Sequence, residues 1–116
     1  RIAAENEALR AFVEVFASSA EHRADQLDRA WKRSGPVGPL HGVPIAVKDL
    51  ARIDGRLPGF GSRCYAGMAQ GPTAPAIQRL IDAGAIIIGM TNMVEFASGG
   101  WGTNYAVGTP WNPIDR

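Results

Sequence analysis

The sequence contains an uninterrupted apolar segment, Ala85-Ile86-Ile87-Ile88-Gly89-Met90. A run of this kind is typical of a strand covered on both faces, as in a parallel sheet flanked by helices. A second apolar run, Val43-Pro44-Ile45-Ala46-Val47, is too short for a helix and rich in β-branched residues, so it predicts a buried strand. The two runs indicate an α/β protein.

The segment between the two strands predicts a helix. Thr73 is the expected N-cap, Pro75 fits the first turn, and Gly84 can end the helix. Three apolar residues would then form its inward stripe, namely Ile77, Leu80 and Ile81. Residues 55–72, with five glycines and two prolines, form a long loop that we expect to be functional or packed against another part of the protein.

Residues 1–34 differ in composition from the rest of the chain. All 14 glycines and 8 prolines lie at or after Gly35, whereas residues 1–34 carry 12 of the 23 charged residues (12 Lys and Arg plus 11 Asp and Glu). We therefore predict a helical arm, residues 1–34, followed by an α/β core, residues 35–116. Ser18 or Ser19 is the expected N-cap and Gly35-Pro36 the end of the helix, whose buried face would hold Ala20, Ala24, Leu27 and Trp31. Residues 11–16 are predicted as a strand, with continued helix as the alternative.

Composition excludes several classes of protein. A chain of 116 residues is the length of one modest domain, and 46% hydrophobic with 20% charged residues is globular usage. The net charge of +1 predicts no nucleic-acid partner, and no apolar run reaches the roughly 18 residues that span a membrane. The single cysteine, Cys64, fits a reducing compartment, so we predict a cytoplasmic protein.

Two segments carry candidate chemistry. Lys48 follows the strand at residues 43–47, where burial would favour the neutral amine that can act as a base; alternatively, it pairs with Asp49 or is simply solvated. Residues 89–102 are rich in glycine and leave the second strand at its carboxyl end, where ligands bind in open α/β sheets. The alternative is a connection in which Thr91, Asn92 and Glu95 satisfy backbone groups.

Other catalytic patterns fit poorly. His22 and His41 are isolated, so no metal or cofactor is expected. No serine lies in a Gly-x-Ser-x-Gly elbow, and residues 59–64 fail the dinucleotide fingerprint at its last position. A Cys64 nucleophile assisted by Lys48 is disfavoured because no partner base is identifiable.

Several segments together resemble the amidase signature family. They are Gly38-Pro39-Leu40-His41-Gly42-Val43-Pro44-Ile45-Ala46-Val47-Lys48-Asp49, Ala83-Gly84-Ala85-Ile86-Ile87-Ile88-Gly89, Thr91-Asn92-Met93-Val94-Glu95-Phe96-Ala97 and Asn112-Pro113. The resemblance implies a mixed sheet flanked by helices, of which residues 35–116 form an incomplete amino-terminal part. It also implies a serine hydrolase that cuts carbon–nitrogen amide bonds through a Ser, cis-Ser, Lys triad, without a cofactor. By this likeness Lys48 is the catalytic lysine, and Ala97, Ser98 and Gly99 line the substrate pocket.

The sequence lacks the Gly-Gly-Ser-Ser-Gly-Gly segment in and shortly after which both catalytic serines lie in that family. We therefore expect the amino-terminal part of a longer amidase, inactive alone, whose partners are a small-molecule amide, the remainder of the same polypeptide and, as one possibility, further copies of itself. The alternatives are the glutaminase subunit of an amidotransferase, or a noncatalytic fragment that docks another chain through the face containing Leu27 and Trp31.

Overall fold

The computed structural model describes residues 1–65 and 71–114. Its sheet has the strand order β1-β3-β2, with β3 parallel to β2 and antiparallel to β1, which confirms the predicted α/β architecture with a mixed sheet. Helices flank and connect these strands, and two short 3-10 turns cover Arg63–Tyr65 and Glu95–Ala97. In chain order the elements are α1 (Ile2–Leu9), β1 (Phe12–Val15), α2 (Ala17–Ser34), β2 (Pro44–Lys48), α3 (Pro75–Asp82) and β3 (Ile86–Thr91).

The core lies around β3, the middle strand. Ile86 and Met90 of this strand are buried, and so are Val47 of β2 and Leu27 of α2, the helix that packs on β3. Successive side chains of a strand point to opposite faces of the sheet, and every residue of β3 is buried or partly buried, so apolar residues at nearly every position fit a strand covered on both faces. The prediction of a buried β2 is met only at Val47, because the other positions of that strand are partly or fully exposed.

The strand predicted within residues 11–16 is confirmed as β1, but the predicted cap of α2 is wrong. The helix begins at Ala17, after Phe16, and no side chain caps its first turn. Ser19 lies inside the helix, where its Oγ donates to the Phe16 carbonyl at 3.2 Å. The predicted end is confirmed, since α2 stops at Ser34 and Gly35 follows with a φ of 83°.

The predicted helix between β2 and β3 is confirmed as α3, with one error at its start. Ala74 is the N-cap, whereas the Thr73 hydroxyl accepts a hydrogen bond from the Asp54 N–H at 3.0 Å. Gly84 follows the helix with a φ of 99°, and a Cβ there would lie 2.8 Å from the His41 Cα, so glycine ends the helix as predicted. The stripe of Ile77, Leu80 and Ile81 is partly buried.

The predicted buried face of α2 is correct for Leu27 and wrong for Trp31. Leu27 is 2% exposed, whereas Trp31 is 57% exposed and its ring centroid lies 5.2 Å from that of His41. Ala20 and Ala24 are partly buried. Three residues of this face are thus partly or fully buried, whereas Trp31 at its carboxyl end is exposed, and a docking role for the arm stays a prediction.

Candidate functional site

Lys48 is the last residue of β2 and is paired in register with Thr91 of β3. The chain turns sharply after it, because the Lys48 carbonyl accepts the N–H groups of Leu50 at 2.7 Å and Ala51 at 3.1 Å. The side chain is exposed, so the burial expected from its strand-end position is wrong for the chain as described. Among the described residues, no carboxylate forms an ion pair with the Lys48 ammonium.

Asp49 lies beside Lys48 but points into the protein. The residue is 4% exposed, and its Oδ1 accepts the Gly59 N–H at 2.9 Å. Burial raises the pKa of the Asp49 carboxyl above its usual 3.8, backbone hydrogen bonds from Gly59 and Gly61 lower it, and the nearby Glu14 raises it. Successive side chains of an extended chain point in opposite directions. The expected alternative of a Lys48–Asp49 ion pair is therefore wrong within the described residues.

The loop of residues 59–62 joins the ends of β2 and β3. The Phe60 N–H donates to the Asp49 carbonyl at 2.9 Å, and the Phe60 carbonyl accepts the Phe96 N–H at 2.8 Å. The Asn104 side chain holds the same loop, since its Nδ2 donates to the carbonyls of Gly61 and Met93, both at 2.7 Å. The loop of residues 59–62 thus links the chain beside Lys48 to the segment that precedes residues 97–99, although it contains no predicted site residue.

Ala97, Ser98 and Gly99 are exposed beyond the carboxyl end of β3. Among the described residues, no hydrogen bond joins Lys48 directly to them. The backbone is strained here, because Phe96 and Ala97 both adopt left-handed conformations, with φ of 49° and 57°. Such conformations in non-glycine residues are unfavourable and cluster at ligand sites, which favours a binding role for this segment.

Asn92 fits the alternative interpretation of the segment as a connection. Its Nδ2 donates to the carbonyls of Arg10 at 3.0 Å and Gly108 at 2.9 Å, and its Oδ1 accepts the Met93 N–H. The Thr91 hydroxyl lies 3.5 Å from the Val47 carbonyl. These two polar side chains therefore support the backbone, whereas Glu95 is exposed.

A cleft of about 550 Å³ opens beside Asp49. Glu14 lines the cleft and is ion-paired with Arg56, whose guanidinium carbon lies 4.6 Å from the centre of the Phe16 ring. Ser62, which is 8% exposed, is a further polar residue of its wall. Sequence reasoning missed the buried roles of Asp49 and Asn104. The position of Asp49 directly after a strand was a usable signal, whereas nothing in the sequence marks Asn104.

The remaining candidates do not assemble into a site. His22 contacts Gln26 at 2.9 Å, and the His41 Nδ1 accepts the Val37 N–H at 3.0 Å. Cys64 is an exposed free thiol. Within residues 1–65 and 71–114, no group of His, Cys, Asp or Glu side chains could hold a metal ion. In the same residues, no helix has the length and apolar character needed to cross a membrane.

Comparison with known proteins identifies relatives along the whole chain. The model of a family described as Amidase matches residues 1–116. A mitochondrial glutamyl-tRNA(Gln) amidotransferase subunit of Ixodes scapularis is 43% identical, with 90% of this chain and 21% of the relative covered. Its counterpart in Symbiobacterium thermophilum is also 43% identical, over 99% of this chain and 24% of the relative.

Solved structures give the same picture. The native peptide amidase of Stenotrophomonas maltophilia has a TM-score of 0.83 at 32% identity, with 97% of this chain and 24% of that chain covered. A protein from a vestigial complex, linked to the evolutionary origins of an s-triazine catabolic enzyme, has a TM-score of 0.93 at 35% identity, with coverage of 98% and 25%. The chain thus spans about a quarter of the length of these relatives.

Proposed function

The chain belongs to the amidase family, and we propose that it is the amino-terminal part of a longer enzyme that hydrolyses carbon–nitrogen amide bonds. The observation that carries this proposal is the position of Lys48 at the carboxyl end of β2, exposed and without an ion-pair partner among the described residues. Because Asp49 is turned inward, its charge is directed away from the side chain of Lys48. Lys48 is thus available to groups supplied from outside this chain.

In the proposed mechanism, Lys48 is the base of a Ser, cis-Ser, Lys triad whose serines lie in the remainder of the polypeptide. The neutral amine removes a proton from the nucleophilic serine through the bridging serine. The nucleophile then attacks the amide carbonyl, and the proton is returned to the departing amine as the acyl-enzyme forms. Water hydrolyses the acyl-enzyme in a second step, so no cofactor is needed.

Substitution of Lys48 in the complete protein tests this proposal. Lys48→Ala should lower kcat for amide hydrolysis by about a thousandfold or more, because loss of one member of a catalytic triad disables the whole unit. Lys32→Ala is the matched control: Lys32 is the other lysine of the chain, and it lies exposed on α2. Undiminished turnover in Lys48→Ala, with Lys32→Ala behaving alike, would refute the assignment.

The same proposal assigns Ala97, Ser98 and Gly99 to one wall of the substrate pocket. Their exposure and the strained backbone at Phe96 and Ala97 support that role. Ser98→Trp in the complete protein would place a large side chain in this wall. It should raise KM for bulky amides, and it should lower kcat for small amides by a smaller factor. The isolated 116-residue chain should be inactive because it would lack the nucleophile.

The proposed location of the protein is the cytoplasm. The single cysteine, Cys64, supports it, because such cysteine usage fits a reducing compartment.

A second candidate function is that of a glutaminase subunit in an amidotransferase. It is favoured by the two relatives of 43% identity, both of which are subunits of glutamyl-tRNA(Gln) amidotransferases. Such a protein should hydrolyse glutamine and co-purify with a partner protein. Rapid hydrolysis of other amides without a partner, and no activity on glutamine, would favour the simple amidase instead.

A further inference from the structure

The loop of residues 59–62 is held from two sides by buried polar side chains. On one side, the Asp49 Oδ1 accepts the Gly59 N–H at 2.9 Å. On the other, the Asn104 Nδ2 donates to the Gly61 carbonyl at 2.7 Å. Both side chains belong to residues at most 4% exposed, so water cannot easily replace these hydrogen bonds.

The loop comes closest to these side chains at its two glycines, where an added Cβ would force neighbouring atoms to move. A Cβ at Gly59 would lie 2.8 Å from the Asp49 Oδ2, and a Cβ at Gly61 would lie 2.7 Å from the Asn104 Nδ2. Gly61 also has a φ of 63°, a conformation that costs little for glycine alone. The two glycines are therefore fitted to the two anchors, which identifies the contact as a specific one.

The Asp49 anchor acts directly on the chain beside Lys48. The Asp49 N–H donates to the Thr91 carbonyl at 3.0 Å, and the Asp49 carbonyl accepts the Phe60 N–H at 2.9 Å. With its side chain buried as well, Asp49 is restrained at three points. A residue restrained in this way fixes the peptide plane that precedes it, and so the direction in which the Lys48 side chain leaves the strand.

We propose that Asp49 is a positioning residue for Lys48, which it orients by fastening the end of β2 to the loop of residues 59–62. This role rests on the proposed function, because Lys48 must be the base for its orientation to affect turnover. The same loop reaches the predicted pocket wall through the hydrogen bond between Phe60 and Phe96. Asp49 thereby sets the position of the base relative to that wall, without touching the substrate.

The test compares Asp49→Ala and Asp49→Asn in the complete protein, with Asp28→Ala as the matched control on the exposed side of α2. Asp49→Ala should lower kcat by between about 10-fold and 100-fold, since misplacement of a catalytic group by an ångström has effects of that size, and KM should change less. Asp49→Asn keeps the acceptor for Gly59 but turns an amide toward the Gly61 N–H. Its kcat should therefore lie between those of the wild type and Asp49→Ala.

Hydrogen exchange at the Gly59 amide gives a readout that does not depend on activity. Exchange should accelerate about tenfold in Asp49→Ala and remain unchanged in Asp28→Ala. The proposal is overturned if kcat is unaffected while exchange accelerates, or if Asp49→Asn loses as much kcat as Asp49→Ala. Should Asp49→Ala fail to fold, Asp49→Asn decides the matter, and an unchanged kcat overturns the proposal.

Failure of the proposed function has a different signature. In that case Lys48→Ala would retain full turnover, or no amide would be hydrolysed, and the role of Asp49 in turnover would fall with it. Accelerated exchange at Gly59 would then show that Asp49 anchors the loop for a purely structural purpose. A loss of kcat in Lys48→Ala together with a wild-type kcat in Asp49→Ala would overturn the positioning role alone.

Discussion

The loop of residues 59–62 and the segment of residues 97–101 follow neighbouring parallel strands, but they are held in opposite ways. In the loop, Gly61 and Ser62 are buried, and the backbone is fixed because the Asp49 carboxylate accepts the Gly59 N–H and the Asn104 amide donates to the Gly61 carbonyl. The segment is exposed throughout, and Trp101 has 95% of its surface accessible. Contacts within the chain therefore determine the position of the loop, whereas the described residues leave the segment open to contacts from elsewhere.

Among the substitutions that test this contrast, the replacement of Asn104 should have the largest effect on stability. Its side chain makes four hydrogen bonds to backbone groups: two to the carbonyls of Gly61 and Met93, and two from the N–H groups of Ala106 and Val107. Asn104→Ala leaves the two buried carbonyls and the two partly buried N–H groups without this partner and should lower the free energy of unfolding by about 3 kcal/mol. Urea denaturation of the complete protein measures this loss.

Asn112→Ala is the matched control for that prediction. Asn112 is exposed, and its Oδ1 accepts the Ile114 N–H at 2.9 Å, so the change should cost less than about 1 kcal/mol. Equal losses in the two variants would show that Asn104 does not clamp the loop, and the contrast between the two regions would then need another cause.

Adding a methyl group should have a smaller effect on stability than the loss of Asn104. The added methyl group should destabilise the protein more in the sheet than in the open segment. A Cβ at Gly89 would lie 2.5 Å from the Glu14 carbonyl oxygen of β1, whereas at Gly100 no atom comes within 4 Å. Gly89→Ala should therefore lower the free energy of unfolding by about 2 kcal/mol through overpacking, and Gly100→Ala by less than about 0.5 kcal/mol. Thermal denaturation of both variants, followed by circular dichroism, compares the packed sheet with the open segment; the reverse order would contradict the openness of residues 97–101.

The charge of Asp49 predicts a dependence of stability on pH. Burial raises the pKa of this carboxyl above 3.8, so the folded state holds its proton more tightly than the unfolded state. Between pH 3.8 and the raised pKa, the unfolded state loses this proton first, and the free energy of unfolding falls as the pH rises. Asp49→Asn has no titrating carboxyl at this position, so this fall is absent. Its free energy of unfolding relative to that of the wild type should therefore increase as the pH rises over the same range.

Chemical denaturation at a series of pH values from 3 upward measures this difference. Asp28→Asn serves as the control, because it makes the same change of side chain at an exposed position of α2. Glu14, which raises the pKa of Asp49, and its partner Arg56 are present in both variants, so the measured difference includes the coupling between Glu14 and Asp49. A stability of Asp49→Asn that falls relative to the wild type as the pH rises would contradict the stated pKa direction.

Local patterns predicted the sheet well and the polar contacts poorly. The apolar runs at β2 and β3 and the glycines after α2 and α3 specify structure through their own neighbours in sequence, which is why these elements are confirmed. Leu27 and Trp31 lie on the same predicted helix face, yet only Leu27 meets the sheet, because a spacing rule does not show where a covering surface ends.

The candidate site shows the same limit more strongly. Family resemblance supplied Lys48 and residues 97–99, but the structure joins them through Asp49, Phe60 and Asn104. Asp49 and Gly59 are separated by 10 residues, and Asn104 and Gly61 by 43. Such contacts depend on the folded path of two loops, and neither composition nor periodicity encodes that path directly.

The smallest effect should arise at Trp101, a highly exposed aromatic side chain of the open segment. With 95% of its surface accessible, Trp101→Ala removes almost no buried apolar area and should change the free energy of unfolding by less than about 0.5 kcal/mol. Acrylamide quenching should also detect Trp101 as more accessible than Trp31, which is 57% exposed. A loss above about 1 kcal/mol would mean that Trp101 is packed in the complete protein and would contradict the openness of this segment.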